Sequence, residues 1–450
     1  MNNKLFGTDG VRGKAGAFPM NVKFAFNLAS VLSDFACKNK KKVAIGKDTR
    51  ISGDMLESAL CAGFLAKGID VIELGVVPTP LVTLKTKSLD VDMAVMITAS
   101  HNPYFDNGFK LIDSNGDKFP DEFYRNIENK LNELDKTQPN DSESIGKIIK
   151  NEAVVEEYIE HVRNIAPNYK ALQGLRVVLD CANGAYSYIL PQVFKDLGAG
   201  VIAINDKPDG FNINKDCGSQ HPEELAKTVI ESKANFGIAV DGDGDRVILV
   251  DDKGNIIDGD QLLCFLANYL KKHDSLKNNT VISTEWSNLG LGEYLTRNGY
   301  NYFKSKVGER YVIDLMNEKG AVLGGELVGH IVLSQYTKSG DGAIVAIVIA
   351  LAYLEYGCKM SEIFPLFAPY PCIIENIRFS TKEYMQESVE YDDVKEALKR
   401  AKDDLGEDSN LIARKSGTEP VIKLRVEGVD AKKVAEIAEN LKSLILKYKK

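Results

Sequence analysis

Three absences narrow this chain before any motif is read. Its seven cysteines (Cys37, Cys61, Cys181, Cys217, Cys264, Cys358 and Cys372) are odd in number, widely scattered and nowhere arranged as Cys-x-x-Cys. That excludes a disulfide framework and a zinc ribbon, and it fits reduced thiols in a cytosol. Excess positive charge is missing as well, since 56 Lys and Arg stand against 64 Asp and Glu, a net charge of −8. A nucleic-acid binder needs clustered cations, so none is expected, and an anionic ligand must be held by a few local basic residues. Long apolar runs are also lacking. The start, Met1-Asn2-Asn3-Lys4-Leu5, has no apolar signal-peptide core, and the longest apolar run, residues 343–354, is too short to span a bilayer and reads as a buried helix. The expectation is a cytoplasmic protein with no membrane partner.

What is there points to several globular units. A chain of 450 residues with 44% hydrophobic and 27% charged residues has the balance of folded domains, three or four of them at ordinary domain size. One pattern of three apolar strands, with a helix between the first two and a polar loop after the third, occurs three times. The first copy has strands at 42–46, 70–74 and 93–97, the second at 177–180, 201–204 and 236–240, the third at 281–284, 300–303 and 321–324. Helical stretches at 54–67, 187–197 and 289–298 lie between the first two strands of each copy. Short apolar strands alternating with such helices imply α/β layers with mostly parallel sheets, and ligands of such sheets bind beyond the carboxyl ends of the strands.

The polar stretch 136–146 reads as the end of the first unit, and a helix pattern over 154–165 leads into the second. After Pro371 the order changes. Strands at 373–379, 410–413 and 422–426, a helix carrying Val394, Ala397, Leu398 and Ala401, and a final helix carrying Val434, Ile437, Ala438, Leu441 and Leu444 predict a small α+β domain. The expected divisions are 1–150, 151–255, 256–368 and 369–450.

The loops after the three third strands are each chemically distinctive. In Thr98-Ala99-Ser100-His101-Asn102-Pro103, the Asn-Pro pair forces a turn that exposes Ser100 just beyond a strand end, where a nucleophile belongs; an ordinary strand-to-loop junction is an equal reading of these residues alone. In Asp241-Gly242-Asp243-Gly244-Asp245-Arg246, three carboxylates repel one another by about 3 kcal/mol per pair at ~5 Å and an effective dielectric of ~20. A bound hard cation removes that cost, and the glycines let alternate side chains converge on it. An EF-hand is excluded, because its sixth and twelfth positions fall on Arg246 and Asp252. A solvated acidic turn is the plainer alternative. The third loop is Gly325-Glu326-Leu327-Val328-Gly329-His330.

Two further stretches carry charge into loops. Arg414-Lys415-Ser416-Gly417-Thr418-Glu419-Pro420 joins a fixed cation, two hydroxyls and a glycine whose neighbouring N–H groups suit a phosphate, and Lys423 adds charge from the next strand. Phe6-Gly7-Thr8-Asp9-Gly10-Val11-Arg12-Gly13 holds too many glycines for a strand or helix interior and reads as a loop that aims Arg12 or, equally well by itself, as a flexible start. Lys110, in Asn107-Gly108-Phe109-Lys110, follows the Ser100 loop closely enough to reach the same cleft, although a surface Lys is commoner. His101 and His330 lie at strand ends, His161 and His273 sit on helix patterns as surface residues, His221 stays ambiguous, and Trp286 reads as packing.

Taken together, the serine, Asp-Gly-Asp-Gly-Asp-Arg, Gly-Glu and Arg-x-Ser-Gly-Thr-Glu-Pro loops resemble, in that order and over essentially the whole chain, the α-D-phosphohexomutase superfamily. Phe6 to Gly13, Ile45-Gly46-Lys47-Asp48-Thr49-Arg50-Ile51-Ser52-Gly53, Ser287-Asn288-Leu289-Gly290-Leu291 and Val307-Gly308-Glu309-Arg310-Tyr311-Val312 look most like its bacterial branch acting on glucosamine phosphates. The resemblance implies three tandem α/β/α domains with mixed, mostly parallel sheets and a C-terminal α+β domain. It implies reversible conversion of glucosamine 6-phosphate to glucosamine 1-phosphate through a phosphoserine at Ser100 and glucosamine 1,6-bisphosphate, feeding UDP-N-acetylglucosamine and cell-wall synthesis.

By the same resemblance, one Mg2+ is held by Asp241, Asp243, Asp245 and Ser100, and Arg246 orients the transferring group. Lys110 and His330 are the acid/base candidates, with Arg12 assisting. Glu326 and Arg310 bind the sugar phosphate, while Arg414, Ser416, Gly417, Thr418 and Lys423 clamp the phosphate that is not reacting. Closure over the substrate is expected, to keep water from the phosphoserine. The partner is a small hexosamine phosphate; a homodimer is compatible with the sequence, which carries no feature that sets the oligomeric state. Three departures stand out: Val328 replaces a serine of the sugar loop, Lys423 an arginine of the phosphate site, and Gln220 a threonine before His221. The first leaves a phosphomannomutase or phosphoglucomutase, or a phosphosugar-binding protein without turnover, as rival readings.

Overall fold

The three-strand repeat forms as expected, and each copy gains an antiparallel return strand that turns its polar loop into a hairpin tip. The computed structural model describes residues 5–7, 10–133, 144–415 and 420–448. By contacts the chain divides into two compact units, Thr8–Trp286 with Asn301–Pro365, and Met1–Gly7 with Ser287–Tyr300 and Leu366–Lys450.

The first unit holds three sheets among the described residues. In the first, the order is Val11–Lys14, Asp106–Asp113, Met93–Ile97, Lys42–Lys47, Asp70–Val76, Ile148–Lys150. Its last four strands run parallel, and Asp106–Asp113 returns antiparallel to Met93–Ile97. Met93–Ile97 is buried at every position, which explains an unbroken apolar run without alternation. The second sheet runs Ile256–Ile257, Val247–Val250, Phe236–Val240, Arg176–Asp180, Gly200–Ile204, again with Phe236–Val240 parallel to its inner neighbour and antiparallel to its return strand. The third runs Asn301–Ser305, Thr280–Thr284, Leu323–Gly325, Ile331–Leu333 with the same alternation. The serine, aspartate and Gly-Glu loops are therefore the tips Ile97 to Asp106, Val240 to Val247 and Gly325 to Ile331.

The long apolar run is the helix Gly342–Tyr356, buried along most of its length. Asp341 caps it by accepting from Ala343 N and Ile344 N at 3.0 Å each, and the same carboxylate accepts from Tyr158 and Tyr186 hydroxyls at 2.6 and 2.8 Å. Among the described residues no helix is long and apolar enough to cross a membrane.

One expectation fails. Residues 6–13 do not form a loop throughout, because Val11–Lys14 is an edge strand paired antiparallel to Asp106–Asp113, with Arg12 opposite Gly108. The glycines that argued against a strand are what permit it. Gly10 sits at φ +98°, and a Cβ there would lie 2.0 Å from the Phe109 carbonyl oxygen, a backbone approach that only glycine allows. Thr8 and Asp9 lie outside the described residues.

The second unit contains the antiparallel sheet Cys372–Arg378, Val421–Gly428, Ser409–Lys415. Helices Asp392–Leu405 and Ala431–Leu446 cover it, with Val394, Leu424, Val426, Leu441 and Ile445 in the core. This is the expected α+β domain. The helix Leu289–Arg297 belongs to the same unit, where Leu289 N donates to Glu427 at 2.8 Å and Asn288 Nδ2 donates to the Tyr370 carbonyl at 3.1 Å.

Candidate active site

Two hairpin tips meet at the reactive centre. Ser100 follows the buried strand Met93–Ile97 with φ +52° and is itself buried, and its hydroxyl donates to Asp241 Oδ2 at 2.7 Å. The expected exposed serine is thus covered by the facing acidic tip. Asp241, Asp243 and Asp245 are all buried, and each offers an oxygen within 4.8 Å of the others. The acidic turn is therefore a built cluster and not a solvated one.

Lys110 bridges two of the carboxylates, and the third meets the serine. Asp243 Oδ2 accepts from Lys110 Nζ at 2.7 Å and from the Thr79 hydroxyl, while Thr79 N donates to the Asp243 carbonyl at 2.9 Å. Lys110 Nζ also donates to Asp245 Oδ2 at 2.7 Å, and Arg246 N donates to Asp241 Oδ1 at 3.2 Å. Burial, then the Asp245 and Asp243 charges, push the Asp241 carboxyl up to about 7 against the opposing pull of Arg246 and the Ser100 hydroxyl. Asp243 Oδ1 is buried with no hydrogen-bond partner among the described residues. Three convergent carboxylates and a buried oxygen of this kind fit a hard divalent cation with all-oxygen coordination.

The turn that carries them is set by close packing. Gly244 has φ +76°, and a Cβ there would lie 2.1 Å from the Tyr186 ring. Gly244 also accepts from Gly342 N at 2.9 Å, which ties the turn to the first residue of the buried helix.

The third tip adds an imidazolium. His330 Nε2 lies 2.8 Å from Glu309 Oε1, and Nδ1 lies 4.0 Å from Glu326 Oε2. Burial alone would lower the His330 pKa, but the charges of Glu309, Asp245 and Glu326 outweigh it and raise it to about 9. Glu309 also accepts from Gly340 N at 2.8 Å and pairs with Lys118, and Glu326 Oε1 accepts from Gly308 N at 2.9 Å. His101 is half-buried with Nδ1 3.4 Å from the Ser100 hydroxyl; burial, with Arg246 and Arg12 beside it, drives its pKa down to about 2 and keeps the ring neutral.

The structure thus brings Ser100, Lys110, Asp241, Asp243, Asp245, Arg246, Glu326 and His330 into one unit. Arg310 Nη1 pairs there with Asp121 at 2.8 Å. Arg414 and Lys423 stand opposite each other on neighbouring strands of the second unit, and Ser416, Gly417 and Thr418 lie outside the described residues. His161 is half-buried 3.2 Å from the Tyr336 carbonyl, His273 pairs with Glu355 at 2.7 Å, and His221 is exposed. Val328 is 47% exposed at the third tip. Sequence reasoning gave no role to Thr79, Lys118 or Glu309. Their contacts are tertiary and no spacing announces them, although Glu309 lies in the stretch Val307-Gly308-Glu309-Arg310-Tyr311-Val312.

Comparison with known proteins shows what the chain is similar to. Four family descriptions match in turn: phosphoglucomutase/phosphomannomutase alpha/beta/alpha domain I at residues 3–138, domain II at 156–254, domain III at 258–370 and the C-terminal domain at 376–444. The phosphoglucosamine mutase of Nautilia profundicola is 44% identical over 440 residues, covering 98% of both chains. That of a Chelativorans species is 42% identical over 443 residues, covering 98% of this chain and 97% of its own. A Burkholderia thailandensis phosphoglucomutase/phosphomannomutase family protein superposes with a TM-score of 0.79 at 23% identity, covering 100% of this chain and 98% of its own. The Aspergillus fumigatus N-acetylphosphoglucosamine mutase, solved with GlcNAc-6P and magnesium, gives 0.65 at 16% identity, covering 99% and 96%.

Proposed function

The chain belongs to the phosphoglucomutase/phosphomannomutase family, and from that membership we propose that it is a phosphoglucosamine mutase. It interconverts glucosamine 6-phosphate and glucosamine 1-phosphate and supplies the route to UDP-N-acetylglucosamine and the cell wall. The observation that carries this reading is the buried meeting of the Ser100 hydroxyl with Asp241 at 2.7 Å, inside a three-carboxylate cluster. The full-length similarity to phosphoglucosamine mutases narrows the sugar.

Ser100 carries the phosphoryl group. Phospho-Ser100 gives its phosphoryl group to the C1 hydroxyl of glucosamine 6-phosphate, the P–Oγ bond breaking as the P–O1 bond forms and the O1 proton ending on Ser100 Oγ, and glucosamine 1,6-bisphosphate results. The bisphosphate turns over, and Ser100 Oγ takes the phosphoryl group from O6, releasing glucosamine 1-phosphate. One serine thereby serves two poses. Asp241, Asp243, Asp245 and an oxygen on Ser100 would hold a magnesium ion, which would supply positive charge to neutralise the transferring group.

Lys110 Nζ, 4% exposed and bonded to Asp243 and Asp245, is one proton-handling group, and His330, held protonated by Glu309, is a second donor at the third tip. Arg246 and Arg12 supply fixed positive charge around the serine turn, adding to the burial that lowers the His101 pKa. Glu326 takes the sugar hydroxyls, Arg310 the sugar phosphate, and Arg414 and Lys423 with the 416–418 loop the phosphate at rest. The divisions 1–150, 151–255, 256–368 and 369–450 and a cytoplasmic location belong to the same proposal; seven free cysteines support the location.

A coupled assay with magnesium and a trace of sugar bisphosphate, run over glucosamine, glucose and mannose phosphates, tests the assignment. The expected result is highest kcat/KM on glucosamine 6-phosphate. Preference for glucose or mannose phosphate moves the chain to a phosphoglucomutase or phosphomannomutase role.

A further inference from the structure

Arg50 is the arginine of the stretch Lys47-Asp48-Thr49-Arg50, to which no role has been given. A cation this near a phosphoryl-carrying serine invites the reading of a phosphate clamp, and the geometry rules that out. Arg50 is 3% exposed, and its five N–H groups are all engaged inside the protein. Nε donates to Asp48 Oδ2 at 2.9 Å; Nη2 donates to the carbonyls of Ser100 and Asn102 at 2.8 Å each; Nη1 donates to the carbonyl of Asp106 at 3.1 Å and to that of Pro103. No donor is left for a ligand. Four of the five acceptors are backbone carbonyls of one short segment, residues 100 to 106, the tip that carries Ser100.

The same cluster holds the other side of the Ser100 peptide. Ser100 N donates to Thr98 Oγ1 at 2.8 Å, and the Thr98 hydroxyl donates to Asp48 Oδ2 at 2.7 Å, the oxygen that Arg50 also binds. Asn214 Nδ2 adds donations to the Ser100 and Asn102 carbonyls at 2.8 and 3.1 Å. Ser100 is not glycine, yet it sits at φ +52°, a region that side chains with a Cβ enter at a cost and keep only when their surroundings fix them. We infer that Arg50, acting with Asp48 and Thr98, is a positioning residue that locks the Ser100 tip in its left-handed conformation and so aims Oγ at the acidic cluster.

This inference rests on the phosphoserine reading for its kinetic arm but has an arm that does not. In Arg50→Lys the single ammonium offers three donors in place of five and cannot span the carbonyls. The variant is expected to lose about 100-fold in kcat, the scale of an ångström-sized misplacement, while KM for the sugar phosphate and Mg2+ affinity measured by calorimetry stay within about threefold. Tyr104 and Phe105 are 38% and 47% exposed within the same tip, so chymotrypsin reports directly on its order; cleavage there should accelerate at least about tenfold in the folded variant.

The near-isosteric Thr98→Val and the hydroxyl-keeping Thr98→Ser form a second pair. Val should lose roughly tenfold in kcat, because it removes both the bond from Ser100 N and the bond to Asp48 Oδ2, and Ser should recover most of it. A folded Arg50→Lys with parental kcat and parental cleavage overturns the inference, as does a fall of kcat and Mg2+ affinity accompanied by a comparable rise in KM, which marks general damage. An inactive parent overturns the mutase reading alone, and the cleavage rates then decide the role of Arg50 by themselves.

Discussion

In consecutive sheets the tip after the third strand carries Ser100 in one and the three aspartates in the other, and the two tips are held by different means. The serine tip is long and is fixed by side chains, Arg50 and Asn214 from outside it and Thr98 at its base, that bind its peptide groups. The acidic tip is short and is fixed by steric fit, Gly244 lying against the Tyr186 ring and bonded to Gly342 N. Hydrogen bonds can be loosened one at a time, whereas a close-packed glycine has no intermediate state. A carrier that must accommodate a serine with and without phosphate suits the first arrangement; a cluster that must keep three like charges at fixed distances suits the second.

The largest expected effect separates the tips chemically. Ser100→Ala removes the carrier and leaves the carboxylates in place, so kcat should fall by about 10^4-fold or more. Intact mass should show that phosphate is lost from the protein, and calorimetry should find Mg2+ binding retained. Appreciable turnover by this variant would refute the carrier role of the serine tip.

Gly244→Ala attacks the other tip sterically. A Cβ 2.1 Å from the Tyr186 ring at φ +76° combines overpacking with a disfavoured conformation, about 2–4 kcal/mol together. A urea titration should show that loss, accompanied by weakened Mg2+ binding. Parental stability would mean that the acidic tip is as adjustable as the serine tip.

A smaller effect concerns the third tip. His330 has a folded pKa of about 9, above its ordinary value near 6.5. The native state therefore binds more protons than the unfolded state between those values, so the stabilisation is full below about pH 6.5 and is lost as pH rises through about 9. Urea midpoints of the metal-free protein should fall across that window. In Glu309→Gln, which removes the strongest raising charge, that fall should flatten. An unchanged slope would show that Glu309 does not hold the His330 proton.

The contrast between the tips also explains what the sequence disclosed. Apolar runs such as Met93–Ile97 and Phe236–Val240 are written locally, because a strand buried on both faces must be apolar throughout. The acidic cluster was legible for a related reason, since charges at that spacing have few uses. Neither the edge strand at Val11–Lys14 nor the partners of the clusters could be read in this way. The edge strand depends on glycines meeting a distant backbone, and Thr79, Glu309 and Arg50 act on residues 164, 21 and about 50 positions away. Such contacts are set by tertiary placement, and residue type alone does not carry it.

Val328 offers the finest test, because it lies on a tip whose remaining residues are buried or bonded. Glu326 and His330 are fixed by Gly308 N and Glu309, whereas the Val328 side chain is 47% exposed. Replacing it with serine should therefore change stability by less than about 0.5 kcal/mol. A hydroxyl that reaches a sugar hydroxyl adds roughly 0.5–1.5 kcal/mol, so Val328→Ser should raise kcat/KM by about two- to tenfold for whichever sugar phosphate the tip contacts. A gain confined to one sugar of the three-substrate panel makes this position a specificity determinant. Equal gains on all three mean that the hydroxyl meets a part the sugars share, and no gain on any removes Val328 from the sugar-contacting surface.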